Sequence, residues 1–202
     1  MSDQRIGFLI SLSGFDGAGK STQVKLLSEY LRKKKKKVLV TEIMFGYFLL
    51  KLLVRFLRST TSSLPGGPIK RNKSFLPKLW FIFAFVDIWV MYIFKIIPMK
   101  ERYDFIIADR FYTDIWANLV YYGYIPDFAF NFFVKLLPKA DMAFMLMIEP
   151  ETVLRREKEF PSTYYKEQAR IYKNLSNQIN FILIKADQDP KEVFMDIKKL
   201  VG

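Results

Sequence analysis

The stretch Ser13-Gly14-Phe15-Asp16-Gly17-Ala18-Gly19-Lys20-Ser21-Thr22 follows a short apolar run, Ile6 to Ser11. It precedes a segment from Gly19 to about Lys36 whose apolar residues Val24, Leu26, Leu27, Tyr30 and Leu31 recur at helical spacing. Gly14 to Ser21 fits G-x-x-x-x-G-K-[ST] without a misfit, and in the required context of strand, turn and helix. Glycines let successive backbone N–H groups turn inward at the positive end of a helix, where they hold phosphate. The pattern predicts a nucleotide phosphate site formed by Gly14, Phe15, Asp16, Gly17, Ala18, Gly19, Lys20, Ser21 and Thr22. Lys20 is expected to reach the β- and γ-phosphates, and the Ser21 hydroxyl to ligate Mg²⁺.

Outward from this loop, short apolar strands alternate with helices. Strands are expected over Ile6–Ser11, Val38–Thr41, Tyr103–Ala108, Met142–Ile148 and Phe181–Ile184. Helices are expected over Gly19–Lys36, Met44–Arg58, Leu79–Ile97, Phe111–Tyr124, Asp127–Leu137, Glu151–Glu159, Ser162–Gln178 and Pro190–Leu200, with a loop over Thr60–Pro68. Such alternation predicts an α/β fold with a parallel sheet covered on both faces. A length of 202 residues, without repeats or a long linker, predicts one domain.

Composition limits the chemistry. The chain has no Cys and no His, which excludes thiolate nucleophiles, imidazole acid–base work and metal sites built on either ligand. Any chemistry must use carboxylates, Lys, Arg, hydroxyls, backbone amides or an oxygen-liganded ion. A net charge of +12 favours polyanionic partners. The lysine run Lys33–Lys37 ends a helix, where positive charge opposes the dipole, so no nucleic-acid partner is expected. No signal-peptide pattern opens the chain, and a cytoplasmic protein is expected.

Leu79 to Ile97 is apolar apart from Asp87 and Lys95, and long enough to span a bilayer. A carboxylate at its centre costs roughly 2.5–3.5 kcal/mol on the insertion scale. A single crossing would also separate strands of one sheet. A buried core helix is the expectation, with a helix at a membrane or dimer surface as the other reading.

Asp109 closes an apolar strand, where a carboxylate either faces Mg²⁺ or caps the next helix. Arg110 follows it, not a second acid, and no guanine-reading Asn-Lys-x-Asp is present, since Asn72-Lys73-Ser74-Phe75 fails at the Asp. A motor and a switch GTPase are disfavoured, and a small kinase remains.

At this point the sequence resembles the thymidylate kinase family. SGFDGAGKSTQ (Ser13–Gln23) looks like that family's phosphate loop, and IIADRFYTDIWA (Ile106–Ala117) is similar to its Asp-Arg-Tyr segment. IEPETVLRR (Ile148–Arg156) and KEQARIYKNL (Lys166–Leu175) resemble its lid region, and KADQDPKEVFMDIKKL (Lys185–Leu200) its adenine-side segment and last helix. The resemblance implies a five-stranded parallel sheet, ATP and Mg²⁺ as donor and ion, and transfer of the γ-phosphate to a nucleoside monophosphate, with dTMP the best single guess. It implies that Arg110 clamps the acceptor phosphate, with Asp16 positioning Arg110 or the acceptor. Arg155 or Arg156 would close from a short lid at about 155–163, with Asp109 beside the metal. It also implies a homodimer, while the apolar helices leave peripheral membrane contact possible.

The acceptor side departs from the family. Its Arg-Glu-Pro segment reads Thr41-Glu42-Ile43-Met44 here. Its base-contacting Arg falls on Ile88 beside Asp87, an aromatic one turn earlier falls on Ala84, and its Ala-Tyr-Gln reads Ala117-Asn118-Leu119. The region 43–100 is thus the divergent acceptor side. Tyr47, Phe111, Tyr112 and Trp116 are candidates to stack a base in its place. Two other readings stay open: a related kinase for a sugar, lipid-linked or protein acceptor, and a nucleotide-binding protein without turnover.

Overall fold

The computed structural model describes residues 6–43, 80–156 and 160–202. The helix expected at 44–58, the loop at 60–68, Tyr47 and the middle of the lid (157–159) lie outside the described residues. Five strands, β1 (Phe8–Ser13), β2 (Val38–Glu42), β3 (Phe105–Asp109), β4 (Met142–Met147) and β5 (Ile182–Lys185), form one sheet in the order β2-β3-β1-β4-β5. Every pairing is parallel.

The described helices are α1 (Lys20–Lys33), α2 (Trp80–Met91), α3 (Ile97–Arg102), α4 (Tyr112–Tyr121), α5 (Asp127–Lys135), α6 (Pro150–Arg156), α7 (Ser162–Gln178) and α8 (Pro190–Val201). The chain crosses from β1 to β2 in one direction along the sheet and from β3 to β4 in the other. Right-handed crossovers therefore place their helices on opposite faces. α1 packs against α8 on one face, and α4 and α5 pack against α7 on the other.

The central strands are apolar throughout because both of their faces are covered. Leu9, Ile10, Leu12, Ile106, Ile107, Phe144 and Met145 are fully buried. Gly7 shows how tightly the sheet's lower edge is packed: its N–H donates to Lys100 O, and a Cβ there would lie 2.8 Å from that oxygen and closer still to Tyr103 O.

The expected helix Leu79–Ile97 continues to Arg102. α2 and α3 are joined by a π turn, Tyr92–Ile96, and Pro98 falls in the first turn of α3, where its missing N–H is tolerated. This assembly is only half a core element. Phe81, Ala84, Ile88, Met91 and Ile96 are buried, as is the carboxylate-bearing Asp87, while Ile82, Phe83, Val86, Ile93, Phe94 and Ile97 face outward. Hydropathy does not distinguish these two faces, since both are apolar. Phe81–Arg102 has the length and composition to cross a membrane, with a third of it buried.

Other boundaries shift by a few residues. β1 begins at Phe8 and runs to Ser13, and β5 starts at Ile182. α4 starts after Phe111, which is extended, and stops before Gly123, which sits at φ +71°.

Candidate active site

β1 and β3 are neighbours, with Leu12 paired to Asp109, and the chain leaves their carboxyl ends in opposite directions. Such a point opens a crevice above the sheet. The loop 14–19 forms one wall and Arg110 the other. Between them lies a cleft of about 440 Å³, lined by Asp16, Gly17, Gly19, Lys20, Ser21, Thr22, Arg110 and Pro190.

The glycines of the loop take conformations that a side chain would resist. Gly14, Gly17 and Gly19 have φ of 147°, 82° and 84°. Phe15 and Ala18 turn into the core, while Ser21 and Thr22 are exposed on the first turn of α1. Lys20 folds back over the loop, donating to Gly14 O at 2.7 Å and Phe15 O at 2.9 Å. Burial lowers its pKa below the usual lysine value, against the opposing pull of the carboxylates Asp114, Asp16 and Asp109.

Arg110 adopts φ +70°, one of two non-glycine residues with positive φ among the described residues. Its backbone N–H is held by Leu12 O. The guanidinium reaches across the crevice to Asp16 Oδ1 at 2.6 Å and lies 3.9 Å from Glu42 Oε1. Tyr164, on α7, donates to the other Asp16 oxygen at 2.9 Å. Burial works to raise the Asp16 pKa, but Arg110, Lys20 and the Tyr164 phenol outweigh it and hold the pKa below the usual value. The structure thus brings Asp16 and Arg110 together as an ion pair.

Asp109 does not cap α4, since Phe111 occupies the N-cap position. Its Oδ1 is buried without a hydrogen-bond partner. An orphaned carboxylate oxygen and the exposed Ser21 hydroxyl are hard donors that suit Mg²⁺. Among the described residues no group of three or more Asp or Glu side chains forms a metal cage.

The lid arginines divide. Arg155 is exposed, donates to Thr152 Oγ1 on its own helix and does not line the cleft. Arg156 ends α6, and its side chain lies outside the described part of the chain.

Three proposed base-stacking residues belong to the core. Phe111 is 2% exposed, Tyr112 and Trp116 not at all, because Tyr92 packs on Tyr112 and Phe81, Phe85 and Phe133 enclose Trp116. Instead, half-exposed Tyr121 and Tyr122 stand beside Tyr164 and the Asp16 carboxylate. Ala84 and Ile88 face the core.

Sequence reasoning missed Asp114. It is fully buried under the loop and accepts from Ser13 Oγ and Phe111 N (both 2.7 Å), Gly14 N (3.2 Å) and the Tyr172 hydroxyl (2.7 Å). Its one local signal is an acid three residues past an N-cap, which reads only as helix capping.

No family model matches the chain. "Probable thymidylate kinase 1" of Saccharolobus solfataricus is 29% identical over 202 residues, covering 96% of each chain. The thymidylate kinase of Rickettsia conorii is 27% identical over 217 residues, with 98% of this chain and 99% of the relative covered. That of Prochlorococcus marinus is 28% identical over 212 residues, with 96% and 94% covered. The crystal structure of thymidylate kinase from Ehrlichia chaffeensis superimposes with a TM-score of 0.58 at 21% identity, covering 97% of this chain and 99% of that one. The five-stranded fold is shared with that structure.

Proposed function

We propose that this P-loop kinase of the thymidylate kinase type transfers the γ-phosphate of ATP to the phosphate of a nucleoside monophosphate, with dTMP the acceptor. The observation that carries this reading is the pairing of a complete phosphate loop with an arginine held across the crevice from it, Arg110 on Asp16 at 2.6 Å.

Phosphoryl transfer requires positioning and charge neutralisation more than covalent chemistry. With the Gly14 N–H held by Asp114, the amides that follow it in the loop, through Thr22, bind the donor phosphates at the N-terminus of α1. Lys20 leaves the carbonyls of Gly14 and Phe15 for the β- and γ-oxygens, where phosphate charge favours its protonated form. Arg110 orients the acceptor phosphate in line with the donor, and Asp16 fixes the guanidinium. Ser21 and Asp109 would hold Mg²⁺, which neutralises charge on the transferring group. An arginine from the end of α6, Arg155 or Arg156, serves the transferring oxygens when the lid lies over the cleft. The protein acts in the cytoplasm, as a dimer.

The test is ADP release from Mg-ATP across dTMP, dUMP, UMP, CMP, AMP and GMP, with Lys20→Ala as control. Turnover with dTMP that Lys20→Ala abolishes is the expected result. ATP binding without turnover on any member overturns the nucleotide acceptor and directs the search to sugar, lipid-linked or protein phosphate acceptors.

A further inference from the structure

Asp114, on α4, is a single carboxylate on which the end of β1, the phosphate loop and α7 converge. Its Oδ1 receives the Gly14 N–H from the phosphate loop and the Tyr172 hydroxyl from α7. Its Oδ2 receives the Ser13 hydroxyl from the end of β1 and the Phe111 N–H that opens α4. A buried carboxylate with four donors is fully satisfied, and such a network is rigid because no member can leave without stranding another. Phe15, next in the loop, packs with its ring centroid 6.4 Å from that of Tyr165 and 6.3 Å from that of Tyr172. Asp16, the residue after, takes the Tyr164 hydroxyl. Three consecutive loop residues are therefore docked on α7, two of them through hydrogen bonds that end on tyrosines eight residues apart.

We propose that Asp114 is a positioning residue for the donor site: its carboxylate holds the Gly14 amide in its unusual conformation and, through Tyr172, locks the phosphate loop to the helix that follows the lid. This rests on the kinase reading above. Gly14 cannot hold φ +147° by its own preference, since a glycine samples many conformations, so the loop's opening peptide needs an external acceptor. Burial, reinforced by the negative charge of Asp114, raises the Tyr172 pKa well above its usual value, so the phenol remains a donor to that carboxylate. The Asp114 charge also opposes the loss of the Lys20 proton that burial favours.

A carboxylate that merely capped α4 would bond Phe111 N–H and nothing in the loop. The test separates these roles with Asp114→Asn, which preserves shape but replaces one acceptor by a donor, and Tyr172→Phe, which removes one hydroxyl. Three readouts are taken on the full-length chain: hydrogen exchange at the Gly14 amide, affinity for a fluorescent ATP analogue, and the KM of each substrate. Asp114→Asn is expected to deprotect the Gly14 amide, weaken ATP binding about tenfold and raise the KM for ATP while leaving the acceptor KM within about twofold. Tyr172→Phe is expected to move the same quantities less. Folded variants with Gly14 protection and ATP affinity unchanged overturn the proposal, as does a loss that falls equally on both substrates. A wild type that fails to bind ATP overturns the kinase reading itself, whereas wild-type binding matched by both variants overturns only the role of Asp114.

Discussion

The Arg110 guanidinium meets the Asp16 carboxylate at 2.6 Å across the crevice, from a backbone held at φ +70°. A non-glycine residue in that region stores strain of order 1–3 kcal/mol, which persists only where surrounding structure enforces it. Here the enforcing contacts are the Leu12 carbonyl on the Arg110 N–H and the ion pair itself. Strain and ion pair together aim a cation at the space above the phosphate loop.

Arg110→Gly relieves the backbone strain and removes the guanidinium. Turnover is expected to fall about a hundredfold or more, while the melting temperature moves by only a few degrees, because relief of strain offsets the lost pair. Steady-state kinetics beside differential scanning fluorimetry checks this. Retained activity would remove Arg110 from the acceptor site.

Gly14→Ala and Gly19→Ala separate strain from collision. At both positions φ is positive, but an alanine Cβ at Gly14 would lie 2.9 Å from the backbone oxygen of Leu146, whereas at Gly19 it meets nothing within 4 Å. Gly19→Ala should cost about 1–2 kcal/mol for its left-handed backbone. Gly14→Ala should cost more and also lose ATP affinity, because the loop must move. Urea denaturation of the two variants gives the order.

Asp16 carries the pH dependence. Its native pKa lies below the 3.8 of a free aspartate, held down by Arg110, Lys20 and Tyr164 against the effect of burial. A depressed carboxylate contributes stability that is present above its unfolded pKa and is lost as pH falls through the native value. The gap in melting temperature between wild type and Asp16→Asn should therefore be widest at neutral pH and close below about pH 4. A gap that stays constant down to pH 3 would show that Asp16 is not the group.

The outward face of α2 and α3 predicts association. Phe94 is 75% exposed, and Ile82, Phe83, Val86, Ile93 and Ile97 extend an apolar surface around it. Apolar patches of this extent mark contacts with another surface. Gel filtration is expected to give a dimer, and Phe94→Glu a monomer with its fold intact. Wild-type sedimentation with anionic vesicles, abolished by Phe94→Glu, would assign the face to a membrane.

Much of the fold and the donor half of the site were already readable in the residues. The glycine spacing of Gly14 to Ser21 has few solutions other than a phosphate cradle, because each glycine answers a local backbone demand. Apolar strands with helices between them commit the chain to a parallel sheet, since both strand faces must be buried. Asp109-Arg110 at a strand end was visible for the same local reason. What the tertiary structure decided depends on residues far apart in sequence. Asp16 and Arg110 are 94 positions apart, and Asp114 and Tyr172 are 58 apart, so neither contact follows from local spacing, and only the first was suggested at all, by the family resemblance. Phe111, Tyr112 and Trp116 read equally well as a stacking wall or as core, and only the packing of Phe81, Phe85, Tyr92 and Phe133 around them made them core. Local geometry is written in residue type and spacing, whereas burial and long-range hydrogen bonds arise only when the sheet brings its strand ends together.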